Sequence, residues 1–453
     1  MYLTDRSAPP KAGAGQGPGR GPGRKVAPVV LVLGTVSLIT DISSEMVTAV
    51  LPLYLVTTLG FSPLGFGALD GVYNGVSALV QLTGGHLADR VRNHKLLAGL
   101  GYGLSALCKP LLLLAGSIGT LGTVLALERT GKGLRTAPRD AMISLSTPAD
   151  KQGRAFGVHR AMDTTGAMLG PLAAFLILRA AVDGYDAVFG VSACVAALGV
   201  LVLVLFVPGR RRGPDGRQQV TAGEAPGTDP AAGQGTQSTA ETAAAPAAPD
   251  APGGRQPVRV REALALLRVP RMRALAGCAA LLGLTTVSDA FVYLLLQRRA
   301  GIGEEWFPLL PLGTAAVFLL LAVPFGTLAD RIGRRTVFLA GHAVLLTAYA
   351  LLLWAPSTPA LPVLVLALHG TFYAATDGVL PAALADIVPS HLRASGLAIV
   401  GTSQALARFC CSLAFGAAWT MWGGGPALAG SAIGLLCCAV VAGMVLRPAG
   451  GTR

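Results

Sequence analysis

The same short junction occurs twice in this chain, 241 positions apart. Residues 85–90 read Gly-His-Leu-Ala-Asp-Arg, and residues 326–331 read Gly-Thr-Leu-Ala-Asp-Arg. Each copy follows an apolar segment that is long enough to cross a bilayer, and each leads into a short basic stretch. A chain that repeats one helix–loop–helix junction at this distance is predicted to consist of two related halves.

The composition indicates a membrane protein. Apolar residues make up 52% of the chain and charged residues only 13%, whereas about a quarter of a soluble domain is charged. The net charge of +13 does not point to nucleic acid, because the basic residues are concentrated in loops on one predicted side, without a basic stripe and interleaved aromatic residues. We expect these charges to set the membrane topology, and no nucleic-acid partner.

Twelve apolar segments are long enough to be transmembrane helices. They lie at residues 28–57, 64–88, 95–116, 119–142, 153–180, 186–208, 272–298, 306–330, 335–355, 360–386, 392–421 and 426–447. The predicted fold is therefore all-α, with two six-helix bundles related by pseudo-twofold symmetry. The predicted units are a disordered cytoplasmic tail 1–27, an N-terminal bundle 28–208, a largely disordered linker 209–271, a C-terminal bundle 272–447 and a tail 448–453.

The linker and the termini are predicted to be cytoplasmic. Residues 209–257 are rich in Gly, Pro, Ala and Thr and cannot bury enough apolar surface to fold, and residues 258–268 could form a short amphipathic helix. Of the 36 Lys and Arg residues, only Arg179, Arg298 and Arg299 are assigned to the opposite side. This asymmetry places the basic loops in the cytoplasm and the chain in the cell membrane.

These features together resemble the major facilitator superfamily over residues 28–447. Its loop signature is Gly-x-x-x-Asp-Arg-x-Gly-Arg-Arg, and the second junction matches it fully at Gly326, Asp330, Arg331, Gly333, Arg334 and Arg335. The first junction has Gly85, Asp89 and Arg90 but lacks the turn glycine, because Arg92, Asn93 and His94 follow. The resemblance implies a gate latch at these loops; the alternative is a solvated basic loop that only sets topology.

Two further segments carry the resemblance. Arg129 followed by Gly133 is similar to the buried arginine of the superfamily's fourth helix. Gly166, Gly170 and Pro171 are similar to the Gly-x-x-x-Gly-Pro pattern of its proton-coupled exporters of drugs and other small molecules, although Ala173 and Ala174 replace that pattern's final glycines. The same spacing is common wherever membrane helices pack closely.

Many ionisable residues fall inside predicted spans, where each should face a partner or a hydrated cavity. The acids are Asp41, Glu45, Asp70, Glu128, Asp140, Asp163, Asp289 and Asp377, and the bases are Lys109, Arg129, Lys132, Arg135, Arg139, Arg160 and Arg408. The near balance of charge predicts paired networks around a central cavity. We expect Asp377 and Arg408 to form a structural pair in the C-terminal half.

The fourth span has the most charges. One helical stripe consists of Glu128, Lys132, Arg135 and Arg139, and the neighbouring stripe of Arg129, Gly133, Thr136 and Asp140. These stripes are interpreted either as a cavity wall that binds an anionic group or passes a proton signal, or as an ion-pair stack that holds the N-terminal half together.

Two positions are predicted to couple transport to protons. Asp41 and Glu45 lie one turn apart near mid-depth of the first span, where two carboxylates cannot both be charged at low cost, so that one should hold a proton near neutral pH. The alternative is that both pair with bases of the fourth span. Glu45 is preferred. Asp289 in Ser288-Asp289 of the seventh span is its counterpart and the second coupling candidate, with a structural ion pair as the alternative.

The fifth span adds a weaker candidate for the same role. Asp163 follows His159 by one turn, and the pair either relays protons or packs with Arg160. His342 and His369 are expected to be packing residues.

We therefore predict a secondary transporter that moves a small molecule by alternating access, with protons as the coupling ion and export as the direction. No phosphate-binding loop, metal-ligand spacing or nucleophile–base pair stands out, so neither a cofactor, a metal nor an enzymatic activity is expected. The partners are the substrate, protons and the bilayer, with the chain as a monomer. The alternatives are uptake by proton symport and a non-transporting sensor or accessory protein.

Overall fold

The computed structural model describes residues 27–90, 93–148, 152–182, 184–207, 266–377, 388 and 393–446. Within these residues the chain forms thirteen α-helices, and two 3₁₀ turns cover Leu266–Arg268 and Glu304–Trp306. The helices are α1 Pro28–Thr57, α2 Pro63–Arg90, α3 His94–Leu114, α4 Ile118–Leu145, α5 Gln152–Ala180, α6 Gly184–Phe206, α7 Pro270–Gly283, α8 Asp289–Ala300, α9 Leu309–Ile332, α10 Arg334–Trp354, α11 Ala360–Thr376, α12 Arg393–Trp422 and α13 Gly424–Val445.

Short connections make successive spans antiparallel. We call the side of the bundle at which α1 begins the near side, and the side at which α2 begins the far side. Two of the connections are a single glycine: Gly333 joins α9 to α10 with φ +97°, and Gly423 joins α12 to α13 with φ +89°. Only glycine adopts such angles at little cost, so both reversals depend on it.

The helices form two groups. Helices α1 to α6 pack on one another, as do α7 to α13. The groups meet mainly where α2 packs on α12, with smaller contacts of α5 with α9 and of α1 with α8. Seven of the described helices are apolar and long enough to cross a membrane by themselves. Charged residues keep α4 out of that group, and it is enclosed by α1, α2 and α3. The protein is an all-helical, multi-pass membrane protein.

The predicted seventh span, 272–298, is wrong in one respect, because it is two helices. The first, α7, ends at Gly283, and the second, α8, begins at Asp289. The break is stable because its polar groups have partners: Thr286 donates to the Leu282 carbonyl, Tyr349 accepts from the Val287 amide, and Cys411 donates to the Thr286 carbonyl. No proline interrupts this segment, so the sequence does not indicate the break.

Close helix packing explains the glycines of the fifth span. A Cβ at Gly166 would lie 2.5 Å from the Leu38 carbonyl oxygen of α1, and one at Gly170 would lie 2.8 Å from that of Ile42. Both positions therefore need glycine for α5 to approach the α1 backbone, as small residues allow in membranes. Pro171 follows within α5, which continues through it.

Several predicted segments lie outside the described residues. They are the tail 1–26, linker residues 209–265, residues 378–386 of the tenth predicted span and the tail 448–453. Of the predicted amphipathic helix 258–268, only Leu266–Arg268 is described, as a 3₁₀ turn.

Candidate functional site

A ladder of polar pairs joins α1 to α4 in the N-terminal half. Lys132 Nζ lies 3.5 Å from Glu45 Oε1, and Arg135 Nη2 lies 3.3 Å from Asp41 Oδ1. One turn further toward the near side, Arg139 donates to the Ser37 hydroxyl at 3.1 Å. The rungs match because the helices are antiparallel, so that successive turns of α1 meet successive turns of α4. We call these three rungs the α1–α4 ladder.

Glu128 lies at the centre of a more deeply buried cluster. Its carboxylate receives Lys109 Nζ at 3.2 Å and Arg129 Nε at 2.7 Å, and the Ser44 hydroxyl donates to it at 3.5 Å. The Lys109 and Glu128 side chains are 2% and 4% exposed. The guanidinium of Arg129 also lies 3.9 Å from the centre of the Tyr73 ring. We call Lys109, Glu128 and Arg129 the buried triad.

A third cluster surrounds Arg139. Its Nε lies 3.1 Å from Asp140 Oδ1 and its Nη1 lies 3.4 Å from Asp163 Oδ1. Asp163 is shared with the exposed Arg160 at 3.5 Å. No hydrogen bond or ion pair joins His159 to Asp163, both of which the structure describes; His159 Nε2 lies 3.1 Å from the Ser37 hydroxyl. Asp163 is thus placed between two arginines, an arrangement typical of a structural ion-pair partner.

The acids of these three clusters therefore have their partners within the N-terminal half. Each acid of the ladder, the triad and the Arg139 cluster has a basic partner within 4.0 Å. Of these contacts, Glu45–Lys132 is the loosest and most open, with side chains 26% and 35% exposed. Such geometry stabilises the relative positions of α1, α3, α4 and α5, and it leaves Glu45 as the rung most able to change.

Asp289 occupies a different environment in the C-terminal half. It is the first residue of α8, where the positive end of the helix dipole favours a carboxylate. Tyr373 donates its hydroxyl to Asp289 Oδ1 at 2.5 Å, and His369 Nε2 lies 3.0 Å from the same oxygen. His369 and Tyr373 are one turn apart on α11. We call Asp289, His369 and Tyr373 the Asp289 site.

The sequence predicts that His369 is a packing residue and does not indicate its contact with Asp289. Its side chain is 0% exposed, yet one ring nitrogen faces a carboxylate that is itself 42% exposed. Its Nδ1 has no hydrogen-bond partner among the described residues. The spacing of His369 and Tyr373 gives a weak signal, but the break that brings Asp289 to them, 80 positions away, does not show in the sequence.

A cavity of about 140 Å³ lies within the C-terminal half, between α7, α10, α11 and α12. Arg408, Gln404 and Asp377 line it together with Thr376 and the ring of Phe372. The predicted pairing of Asp377 with Arg408 is wrong: both line this cavity, but no ion pair within 4.0 Å joins them. We call this space the C-half cavity.

Asp70 links the two halves. The Ser412 hydroxyl of α12 donates to Asp70 Oδ2 of α2 at 2.5 Å. Nearby, the Leu64 amide donates to the Thr420 hydroxyl at 3.1 Å. The sequence placed Asp70 inside a span without assigning it a partner, because a serine 342 positions away has no charge to suggest the contact.

On the far side, the backbones of α2 and α12 lie close together. A Cβ at Gly67 would lie 2.3 Å from the Ser412 carbonyl oxygen, and one at Gly416 would lie 2.5 Å from that of Pro63. On the opposite edge, the Tyr185 hydroxyl donates to Glu304 at 2.9 Å. The backbones of α2 and α12 are thus in direct contact on the far side.

The predicted gating loops are described unequally. In the second junction, Arg334 Nη2 lies 3.6 Å from Asp330, and Gly333 supplies the reversal between α9 and α10. Gly326 has open space around it, and Arg331 is exposed. In the first junction, α2 includes Gly85 and extends to Arg90, but the structure does not describe the side chains of Asp89 and Arg90.

Comparison with known proteins identifies the family. The profile of the Major Facilitator Superfamily matches residues 33–409 and 275–452. The chain belongs to the major facilitator superfamily. This membership makes it a secondary transporter of a small molecule and not an enzyme.

Two relatives share substantial sequence with this superfamily member. An uncharacterized MFS-type transporter of Methanocaldococcus jannaschii is 28% identical over 405 residues, which cover 87% of this chain and 89% of the relative. An uncharacterized protein of Mycobacterium tuberculosis is 34% identical over 174 residues, which cover 38% of this chain and 40% of the relative.

Solved structures share the fold along the whole chain. The crystal structure of the nucleoside transporter NupG is similar with a TM-score of 0.71 and 13% identity, covering 93% of this chain and 100% of that one. A bacterial homolog to the human lysosomal transporter Spinster, solved inward-facing and occupied, gives a TM-score of 0.68 at 15% identity, covering 93% and 97%. At such identities the likeness concerns the fold alone.

Proposed function

We propose that this transporter couples substrate movement to protons and that Asp289 carries the coupling proton. The observation that carries the proposal is the set of donors around Asp289. His369 and Tyr373 hold its carboxylate by hydrogen bonds, and no lysine or arginine lies within 4.0 Å of it among the described residues. Hydrogen-bond donors stabilise the carboxylate only while they stay in place, so Asp289 can take up a proton when α11 moves His369 and Tyr373 away from it.

Glu45 is the second candidate, and its geometry is less favourable. Lys132 lies 3.5 Å from it, so that Glu45 already has a lysine as its ion-pair partner, which Asp289 lacks among the described residues. Asp41 and Asp163 are held against arginines and serve in this proposal as structural partners.

The proposed mechanism is alternating access between two rigid halves. The near side, with both termini, is the cytoplasmic side in this proposal, on the grounds of its basic loops. The far-side contacts of α2 with α12 then form the external gate. Protonation of Asp289 would weaken its hold on α11 and shift the balance between the two states.

We propose export as the direction, by exchange of substrate for protons. The support is the likeness of Gly166, Gly170 and Pro171 to the pattern of proton-coupled exporters. The structure gives these glycines a packing role against α1, which is the helix that carries Glu45. Uptake by symport would use the same scaffold, so direction needs a functional measurement.

Proteoliposomes that contain a pH-sensitive dye test the proposal directly. A panel of amino acids, nucleosides and organic cations is added outside vesicles with an acidic or an alkaline interior. Exchange predicts substrate entry and loss of internal protons with an acidic interior, whereas symport predicts entry with an acidic exterior, whatever the orientation of the protein. Substrate flux that ignores both gradients would overturn proton coupling.

A further inference from the structure

We infer that the C-half cavity binds a small zwitterion, with a carboxylate on Arg408 and an ammonium group on Asp377. This inference rests on the proposed function, because it names the class of substrate that the transporter would move. It begins from two opposite charges that line one cavity without pairing with each other.

Arg408 is the base of this site. It lies on α12 and has no ion pair within 4.0 Å to any residue that the structure describes, although Asp70, Asp289 and Asp377 are within its electrostatic range. An arginine at membrane depth that is balanced only at a distance has free donors, and its planar fork fits a carboxylate. Gln404, one turn away on α12, adds a polar side chain to the same wall.

Asp377 supplies the opposite charge. It follows the last residue of α11 and lines the cavity beside Thr376. The Phe338 and Phe372 rings line the same space, and aromatic faces attract a cation. An ammonium group can therefore be held by a carboxylate with aromatic rings around it.

The arrangement favours a zwitterion over a simple ion. A cation alone would leave the donors of Arg408 without a partner, and an anion alone would bring negative charge to Asp377. A ligand with both charges satisfies both side chains at once. The volume of the cavity, about 140 Å³, is below that of pockets for drug-sized molecules, so the ligand should be small.

Matched probes test this inference. Each set has an amino acid, its amide without the carboxylate and its acid without the ammonium group, for alanine, leucine and phenylalanine. Binding to the purified protein is measured by thermal shift and by isothermal titration at constant pH. We expect at least one amino acid to bind, and its amide and its des-amino acid to bind about tenfold more weakly or not at all.

Variants then assign the two ends. Arg408→Gln should weaken binding of the amino acid about tenfold and reduce its advantage over the amide, and Asp377→Asn should reduce its advantage over the des-amino acid. Arg271→Gln, which changes an exposed arginine at the start of α7, is the matched control and should bind as wild type. Variants that elute as monodisperse protein are compared.

The outcomes are separable from those of the coupling test. Amides that bind as well as the amino acids would make this a cation site, and des-amino acids that bind as well would make it an anion site; either result overturns the inference. Failure of all three amino acids to bind overturns it too. Binding without pH-driven flux would leave the zwitterion site standing and remove proton coupling instead.

Discussion

The two halves of this transporter handle buried charge in opposite ways. In the N-terminal half, acids and bases are joined directly, as in Asp41–Arg135 and in the buried triad around Glu128. In the C-terminal half, Asp289 is held by a histidine and a tyrosine, and Arg408 faces a cavity. Fixed pairs keep helices in place, whereas charges without fixed partners can respond to protons and ligands.

The helices around these groups differ in the same sense. The charged span of the N-terminal half, α4, is continuous and enclosed by its neighbours. The seventh span, which carries Asp289 in the C-terminal half, is interrupted between Gly283 and Asp289. Broken helices in transporters place polar groups at binding depth. We therefore interpret the N-terminal half as the scaffold and the C-terminal half as the responsive part.

The largest effect should come from the buried triad. Glu128→Gln leaves Lys109 and Arg129 charged, buried and without their carboxylate, so we expect a loss of about 3–5 kcal/mol of stability. Lys109→Met removes one of two bases and keeps the Glu128–Arg129 pair, so it should be much milder. The stability of both variants is measured in detergent, by unfolding them with heat or with denaturant. Equal losses would contradict the triad as a charge-balanced scaffold.

A somewhat smaller effect is expected where the halves meet. Gly67→Ala places a Cβ 2.3 Å from the Ser412 carbonyl oxygen and should disfavour the far-side contact by about 1–3 kcal/mol. Gly75→Ala on the same helix is the control, since its Cβ would make an ordinary contact at 3.5 Å with Phe409. Distances between spin labels at Thr58 and Ser357 report the opening.

If Gly67→Ala left that distance distribution unchanged while the fold stayed intact, the far-side contact would not be a gate. The contact between α2 and α12 would then not be the interface that opens and closes between the two states.

Loss of the cross-half hydrogen bond should have a moderate effect. Ser412→Ala removes the donor to Asp70 and should shift the same two-state balance toward far-side opening by about 1.5 kcal/mol, roughly tenfold in population. Asp70→Asn keeps an acceptor for the serine hydroxyl and should shift it less. The spin-label distances used for Gly67→Ala read out both variants. A larger shift for Asp70→Asn would mean that the charge of Asp70, and not its hydrogen bond, holds the gate.

The smallest effect on stability is expected at the open rung of the ladder. Glu45→Gln removes a partly exposed contact with Lys132, and such pairs contribute about 0–1 kcal/mol. The unfolding assay used for Glu128→Gln is applied to Glu45→Gln as well, so that the two losses of stability are compared directly. A loss as large as that of Glu128→Gln would show that the ladder is as tightly coupled as the buried triad.

Much of the fold follows from the sequence, but the C-terminal site does not. Apolar length predicts most of the spans, and the charge stripe of α4 predicts the ladder, because helical spacing of three and four brings Lys132, Arg135 and Arg139 onto one face. These signals are local. The stripe did not decide between a cavity wall and an ion-pair stack; the distances to α1 favour the stack.

The contacts of the C-terminal half depend on long-range geometry. Asp289 meets His369 and Tyr373 only because the seventh span breaks, and no proline marks that break. The expected pair of Asp377 with Arg408 was inferred from charge alone, and charge does not fix the distance between two helices. The Asp70–Ser412 bond joins an acid to a neutral side chain, which a search for opposite charges overlooks.

The most direct test of the account compares Asp289→Asn with Glu45→Gln in dye-loaded proteoliposomes under a pH jump, with substrate counterflow at equal pH as the control. We predict that Asp289→Asn keeps counterflow and loses pH-driven transport at least tenfold, whereas Glu45→Gln retains both. Full pH-driven transport by Asp289→Asn, or its loss in Glu45→Gln alone, would contradict the assignment of the coupling proton to the C-terminal half.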